Sequence, residues 1–211
     1  EQCMTTTRTT ATRFDHADIS AKWQARWEQD GIYKAHDDDP RPRWYELHMY
    51  PYPSGDLHIG HWFAMSGADT HARFKRMQGY NVLHPMGFDS FGLNAENAAI
   101  ARGIHPFKWT MDNIEKMRGQ LRSMGPSYDW DREVVTCEPE YYQWNQWFFL
   151  QFYKAGLAYR ANAPVNWCPS CVTVLANEQV IDGRCERCDT MVTHRDMSQW
   201  FFRITKYADE L

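Results

Sequence analysis

The chain has 211 residues, 43% of them apolar, and a formal net charge of −4. Those values suit a globular protein with one substantial core. They exclude a chain whose main work is coating nucleic acid, because phosphate neutralisation needs clustered Lys and Arg. No long apolar run is present, and the Thr-rich stretch 5–12 leads into no segment of signal-peptide type. A cytoplasmic protein without a membrane span is therefore expected, with residues 1–13 as a flexible polar tail.

Asp15 to Gly31 places Ile19, Trp23 and Trp27 four residues apart among polar neighbours, which predicts an amphipathic helix stopped by Gly31. After a polar loop over 36–42, the large alternating residues Trp44 to Tyr50 predict a strand. Pro51-Tyr52-Pro53-Ser54-Gly55 must then be a tight loop, since two prolines fix φ and remove donors. Residues 58–77 return to helical composition, with Phe63, Met65, Ala68, Ala72 and Met77 available for an apolar face and Gly79 at the C-cap. Asn81 to Met86 reads as a second strand. Strand, loop, helix and strand in this order form the pattern of a parallel βαβ unit, and ligands bind beyond the carboxyl ends of such strands. Loops 51–57 and 87–92 should thus face one crevice. Met111, Ile114, Met117, Leu121 and Met124 mark a helix over 107–124. A further helix over 138–156 is dense with aromatic residues from Tyr141 to Tyr153, a face better suited to core or domain contact than to base stacking. Cys137 is expected to be a buried structural thiol.

At Asp56-Leu57-His58-Ile59-Gly60-His61 a loop becomes a helix. Unpaired N–H groups and a partial positive charge at such a start suit phosphate. Gly60 leaves the backbone open to close approach, and His58 and His61 can donate to oxygens whose charge grows as an α-phosphorus is attacked. The same residues also fit two histidines that satisfy a helix start or hold an adventitious metal. Asp89 likewise has two readings: a carboxylate for a bound ammonium, or a turn residue capping the segment that follows. The cysteines are less ambiguous. Cys168-x-x-Cys171 and, thirteen residues on, Cys185-x-x-Cys188 bring four thiolates onto two knuckles, the spacing of a closed structural Zn²⁺ site. Disulfide pairing is disfavoured where no secretion signal is found.

His58-Ile59-Gly60-His61 resembles the HIGH motif of class I aminoacyl-tRNA synthetases, and Met49 to Gly55 resembles the leucyl-tRNA synthetase version of its flank. Met86 to Ala99, Ser127 to Glu133 with Glu140-Tyr141-Tyr142, and Asn166 to Pro169 with Val174 to Val180 are similar to further leucyl-family blocks in the same order. The resemblance implies an α/β fold: the N-terminal half of a Rossmann-like class I catalytic domain over 14–165, an inserted zinc ribbon over 166–194, and the start of a connection to an editing domain over 195–211. It also implies activation of leucine by ATP, assisted by Mg²⁺, and transfer to tRNA(Leu). His58 and His61 would be catalytic and, with Gly60, would hold ATP. Met49, Tyr50 and Tyr52 would wall the leucine pocket, and Asp89 would pair with the α-ammonium. Asn94, Tyr50, Phe88 and Pro126 depart from the family pattern, the first three near the pocket. The family's later Lys-rich KMSKS loop is not found in these residues. An N-terminal fragment is therefore expected, inactive alone unless a second chain completes it, with its last residues inside a continuing helix. The alternatives are an isoleucine, valine or methionine enzyme, and a non-catalytic zinc-binding remnant that binds RNA or a partner.

Overall fold

The computed structural model describes residues 15–211, so the expected tail over 1–13 lies outside them. Two compact units divide between Tyr141 and Tyr142. The first opens with α1 (His16–Asp30), begun by Asp15, whose carboxylate accepts from the N–H groups of Ala17 and Asp18. It ends at Gly31 in the left-handed conformation, φ 61°, that a C-cap favours. The strand β1 (Arg43–Tyr45), α2 (Ile59–Met77) and β2 (Asn81–Leu83) form the expected parallel βαβ unit, with Trp44 opposite Val82. The first strand is shorter than the span 44–50. After the Glu46 N–H bonds to Leu83 O at 2.9 Å, residues 47–50 lie outside the ladder.

The segment expected to be a loop over 87–92 contains β3 (Gly87–Phe88). Farther along come α3 (Leu93–Arg102), α4 (Pro106–Met124) and β4 (Val134–Val135), which pairs parallel with β3. Asp129 N–H donates to His84 O and Val134 N–H to Met86 O, so residues 84–88 carry strand-like pairing past Pro85. The core is Met65 of α2, Met86, Phe88, the α4 residues Ile114, Met117 and Leu121, and then Tyr128 and Val135. Of the expected α2 face only Met65 and Ala72 are buried, while Phe63 and Met77 are exposed. Met65 and Ala72 are seven residues apart, two helical turns, so the buried stripe is narrow.

Behind this core lies a polar layer that the hydrophobic pattern does not signal. Arg76 donates to Ser127 Oγ at 2.8 Å and to Ser127 O at 3.1 Å, and Asp129 Oδ2 accepts from Ala35 N–H at 2.9 Å. His84 is fully buried. Burial, and next the neighbouring His48, pull its pKa from 6.5 to about 4. A histidine whose folded value is depressed contributes stability that is present above pH 6.5 and lost as pH falls toward 4, here by about 3 kcal/mol. Melting temperature should fall through that window, and His84→Gln should flatten the curve there. An unchanged pH profile in the variant would show that His84 is not the group responsible.

The second unit holds most of α5 (Pro139–Lys154), then β5 (Ala158–Cys168), β6 (Thr173–Leu175), β7 (Val180–Ile181), β8 (Arg184–Cys185) and β9 (Thr193–Phe202). β5 pairs antiparallel with β6, and with β9 over an unbroken register from Ala158 opposite Phe202 to Trp167 opposite Thr193. Within this unit the aromatic stripe on α5 meets β9, Phe149 and Phe152 touching Phe202 and Phe149 and Tyr153 touching Trp200. No residue of α5 is buried, and Trp144, Trp147, Phe148, Phe152 and Tyr153 are all exposed, so the stripe is not the enclosed core face expected. Residues 204–210 are successive turns and not the continuing helix expected, with N–H groups such as those of Lys206 and Ala208 reaching only three residues back.

Candidate functional site

His58 caps α2 from an extended conformation, φ −131° and ψ 174°. Its Nδ1 accepts from Gly60 N–H at 3.1 Å, and its own N–H donates to His61 Nδ1 at 3.2 Å. Both Nδ1 lone pairs are thereby used, so each neutral imidazole carries its proton on Nε2. The two rings stand 4.1 Å apart. Burial, and then the charge of His58, lower the pKa of His61 toward the neutral form. The histidines do satisfy the helix start, and doing so leaves them with two Nε2–H donors. A Cβ on Gly60 would lie 2.8 Å from His58 Cε1, so the glycine is required by the His58 ring itself.

Loops 51–57 and 87–92 meet where Asp89 N–H donates to Pro51 O at 3.1 Å. Burial alternates along the first loop: Tyr50 is half-buried against the core, whereas Met49 is 87% and Tyr52 59% exposed. The Tyr50 ring covers Gly87, where a Cβ would come within 2.8 Å of it, and burial pushes the phenol up to about 12. The three expected pocket walls are therefore contiguous in sequence but not all turned to one side. Asp89 is half-buried and does not cap a helix: α3 has Gly92 as its N-cap, with no side-chain cap. Ser90 ties this loop to β4, its N–H donating to Thr136 Oγ1 and its Oγ accepting from Cys137 N–H. Cys137 is half-buried rather than fully enclosed.

The four cysteines of the second unit converge, their sulfurs all within 4.8 Å of one another. Cys168 and Cys185 are buried, Cys171 and Cys188 half-buried, and none forms a disulfide. Cys171 N–H donates to Cys168 Sγ at 3.3 Å, as a knuckle turn requires. The turn joining β7 to β8 places Asp182 at φ 50° and Gly183 at φ 75°, the two-residue hairpin geometry that Asp-Gly favours. Each second cysteine is followed by a left-handed residue, Val172 at φ 51° and Asp189 at φ 57°. For a β-branched residue that conformation is strained by about 1–2 kcal/mol. Val172→Gly should therefore raise the melting temperature of the ribbon, by about 1 kcal/mol in stability. A lower melting temperature would show that the valine side chain outweighs the strain. The set fits a tetrahedral thiophilic cation.

These features define a class. The family model described as tRNA synthetases class I (I, L, M and V) matches residues 22–211, and the chain belongs to that family. Among its relatives, the leucine--tRNA ligase of Dehalococcoides mccartyi (strain CBDB1) is 62% identical over 201 residues, which is 95% of this chain and 25% of that protein. The LeuRS of Agrobacterium radiobacter K84, solved as a ternary complex with tRNA and LeuAMS, superposes with a TM-score of 0.87 at 45% identity, covering 94% of this chain and 25% of the other. Mycobacterium tuberculosis methionyl-tRNA synthetase, with methionyl-adenylate, shares the fold at TM-score 0.66 and 24% identity, over 80% of this chain and 34% of that one. The chain spans about a quarter of the length of the curated relatives it matches.

Proposed function

We propose that this chain supplies the nucleotide- and amino-acid-binding half of a leucine–tRNA ligase. Leucine and ATP form leucyl-adenylate with release of pyrophosphate, and the leucyl group then passes to the 3′ end of tRNA(Leu). The reading rests above all on the likeness to leucine--tRNA ligases along nearly the whole chain. The N–H groups at the start of α2, with Nε2–H of His58 and His61, take phosphate oxygens as charge builds on them, and Gly60 keeps the His58 ring in place for this. Asp89 pairs with the leucine α-ammonium, which must be neutralised once water leaves. Met49, Tyr50 and Tyr52 bound the side chain. The leucine carboxylate is itself the nucleophile toward the α-phosphorus, so these residues position substrates and stabilise charge. Mg²⁺ offsets the phosphates. Cys168, Cys171, Cys185 and Cys188 would hold a Zn²⁺ through four thiolates, a set that would leave no position for water and would make the metal structural. The remaining donors and the tRNA contacts come from further polypeptide, in the same chain or a partner, and the site of work is the cytoplasm.

The test is amino-acid-dependent pyrophosphate exchange with the remaining portion of a leucine--tRNA ligase supplied. Leucine should support exchange at least about 10²-fold better than isoleucine, valine or methionine. Preference for one of those three would replace the leucine assignment, and no exchange with any amino acid would favour a non-catalytic zinc-binding chain.

A further inference from the structure

We propose that His48 is a positioning residue for the amino-acid pocket, clamping the Met49 carbonyl through Nδ1–H while His84 and Tyr128 hold its Nε2 through one buried water. The inference rests on the reading of Met49 to Tyr52 as the lip of the leucine site. His48 Nδ1 lies 2.9 Å from Met49 O. A carbonyl only accepts, so the proton sits on Nδ1 and Nε2 is a bare lone pair. That Nε2 is shielded from solvent and lacks a hydrogen-bond partner, as do His84 Nε2 and the Tyr128 hydroxyl. The three rings meet, with centroids 5.7 Å apart for His48 and His84, 5.5 Å for His48 and Tyr128, and 4.6 Å for His84 and Tyr128.

Their needs are complementary. Ser127 Oγ accepts from Arg76 at 2.8 Å and lies 3.5 Å from His84 Nδ1, while its hydroxyl also serves the Asp69 carboxylate. In either tautomer His84 Nε2 needs a partner, as donor or as acceptor. A water gives a proton to His48 Nε2 and meets His84 Nε2 and the Tyr128 hydroxyl with its remaining groups, whereas leaving three shielded polar groups unpaired is costly. The clamp acts between the point where the chain leaves β1 and the point where Pro51 O receives Asp89 N–H.

Long-range ¹H–¹⁵N spectra of the labelled chain read the tautomers directly, and should give Nδ1–H for His48, with an Overhauser effect from a long-lived water to the His48 and His84 rings. Hydrogen exchange reads the clamp. In His48→Phe the Asp89 amide should exchange up to about tenfold faster. The Val134 amide, bonded to Met86 O, should not change, which separates loosening of the lip from unfolding. His48→Gln, whose side-chain amide donates in place of Nδ1, should restore protection of Asp89. An Nε2–H tautomer at His48, or an Asp89 amide indifferent to His48→Phe, overturns the proposal. If the leucine reading is the one at fault, added leucine will leave the Met49 and Asp89 resonances unshifted while the tautomers and the clamp stay as stated.

Discussion

Cys185→Ser should melt the two knuckles and leave the parallel sheet of the first unit standing. The only buried side chains in the knuckle cluster are Cys168, Leu175 and Cys185, edged by Val180 and Val192. Ordering a residue costs about 1–2 kcal/mol in backbone entropy, so so small a core cannot hold residues 167–190 by apolar burial. Structural zinc sites contribute roughly 10–16 kcal/mol, which is the missing stabilisation. Hydrogen bonding to Cys188 raises the pKa of Cys171, while Thr190 lowers that of Cys188. A divalent cation would hold all four as thiolates. The expected result is one zinc per chain in the parent. In Cys185→Ser, amide signals should be lost across 167–190, with those of Val82, Ile114 and Tyr128 unmoved. Reduced, native protein that carries no zinc by metal analysis would remove the hypothesis.

Given ATP, Mg²⁺ and leucine but no further polypeptide, the 211 residues should show essentially no pyrophosphate exchange. On the proposed reading, the α2 start gives donors to one side of the transferring phosphate, through Nε2 of His58 and His61, whose Nδ1 atoms are already used locally. Loss of a single charge-stabilising donor commonly costs ~10²–10³ in rate, and the cationic loop that the family resemblance implies is not among these 211 residues. Weak ATP binding should persist, because a helix N-terminus needs no distant partner, and it should weaken further in His61→Ala. Robust exchange that survives controls for contaminating full-length enzyme would show that the site is complete with fewer groups than argued.

Local signals were readable in the sequence, and pairings between distant short segments were not. Asp15 and Gly31 bracket α1, the apolar spacing of α4 holds from Ile114 to Leu121, and the paired C-x-x-C motifs converge as expected. Strands β3 and β4 have two residues each and meet across more than forty positions, too short for any alternation to register. The same limit hides the polar layer. A lone histidine in an apolar segment, such as His84, carries no mark that His48 and Tyr128 will close on it. At Gly60 the sequence suggests room for a ligand, whereas the nearest constraint on the glycine is the neighbouring imidazole.

Trp167 and Thr193, the last residues that β5 pairs with β9, stand directly opposite each other at the end of an unbroken antiparallel ladder, with the knuckles and β6 in the segment between them. A chain that leaves and rejoins such a ladder at facing positions is an excisable cassette: a two-residue hairpin turn spans the same gap. Knuckles of different length, or none, can then be exchanged at this point without shifting the β5–β9 register or reversing the faces of its side chains.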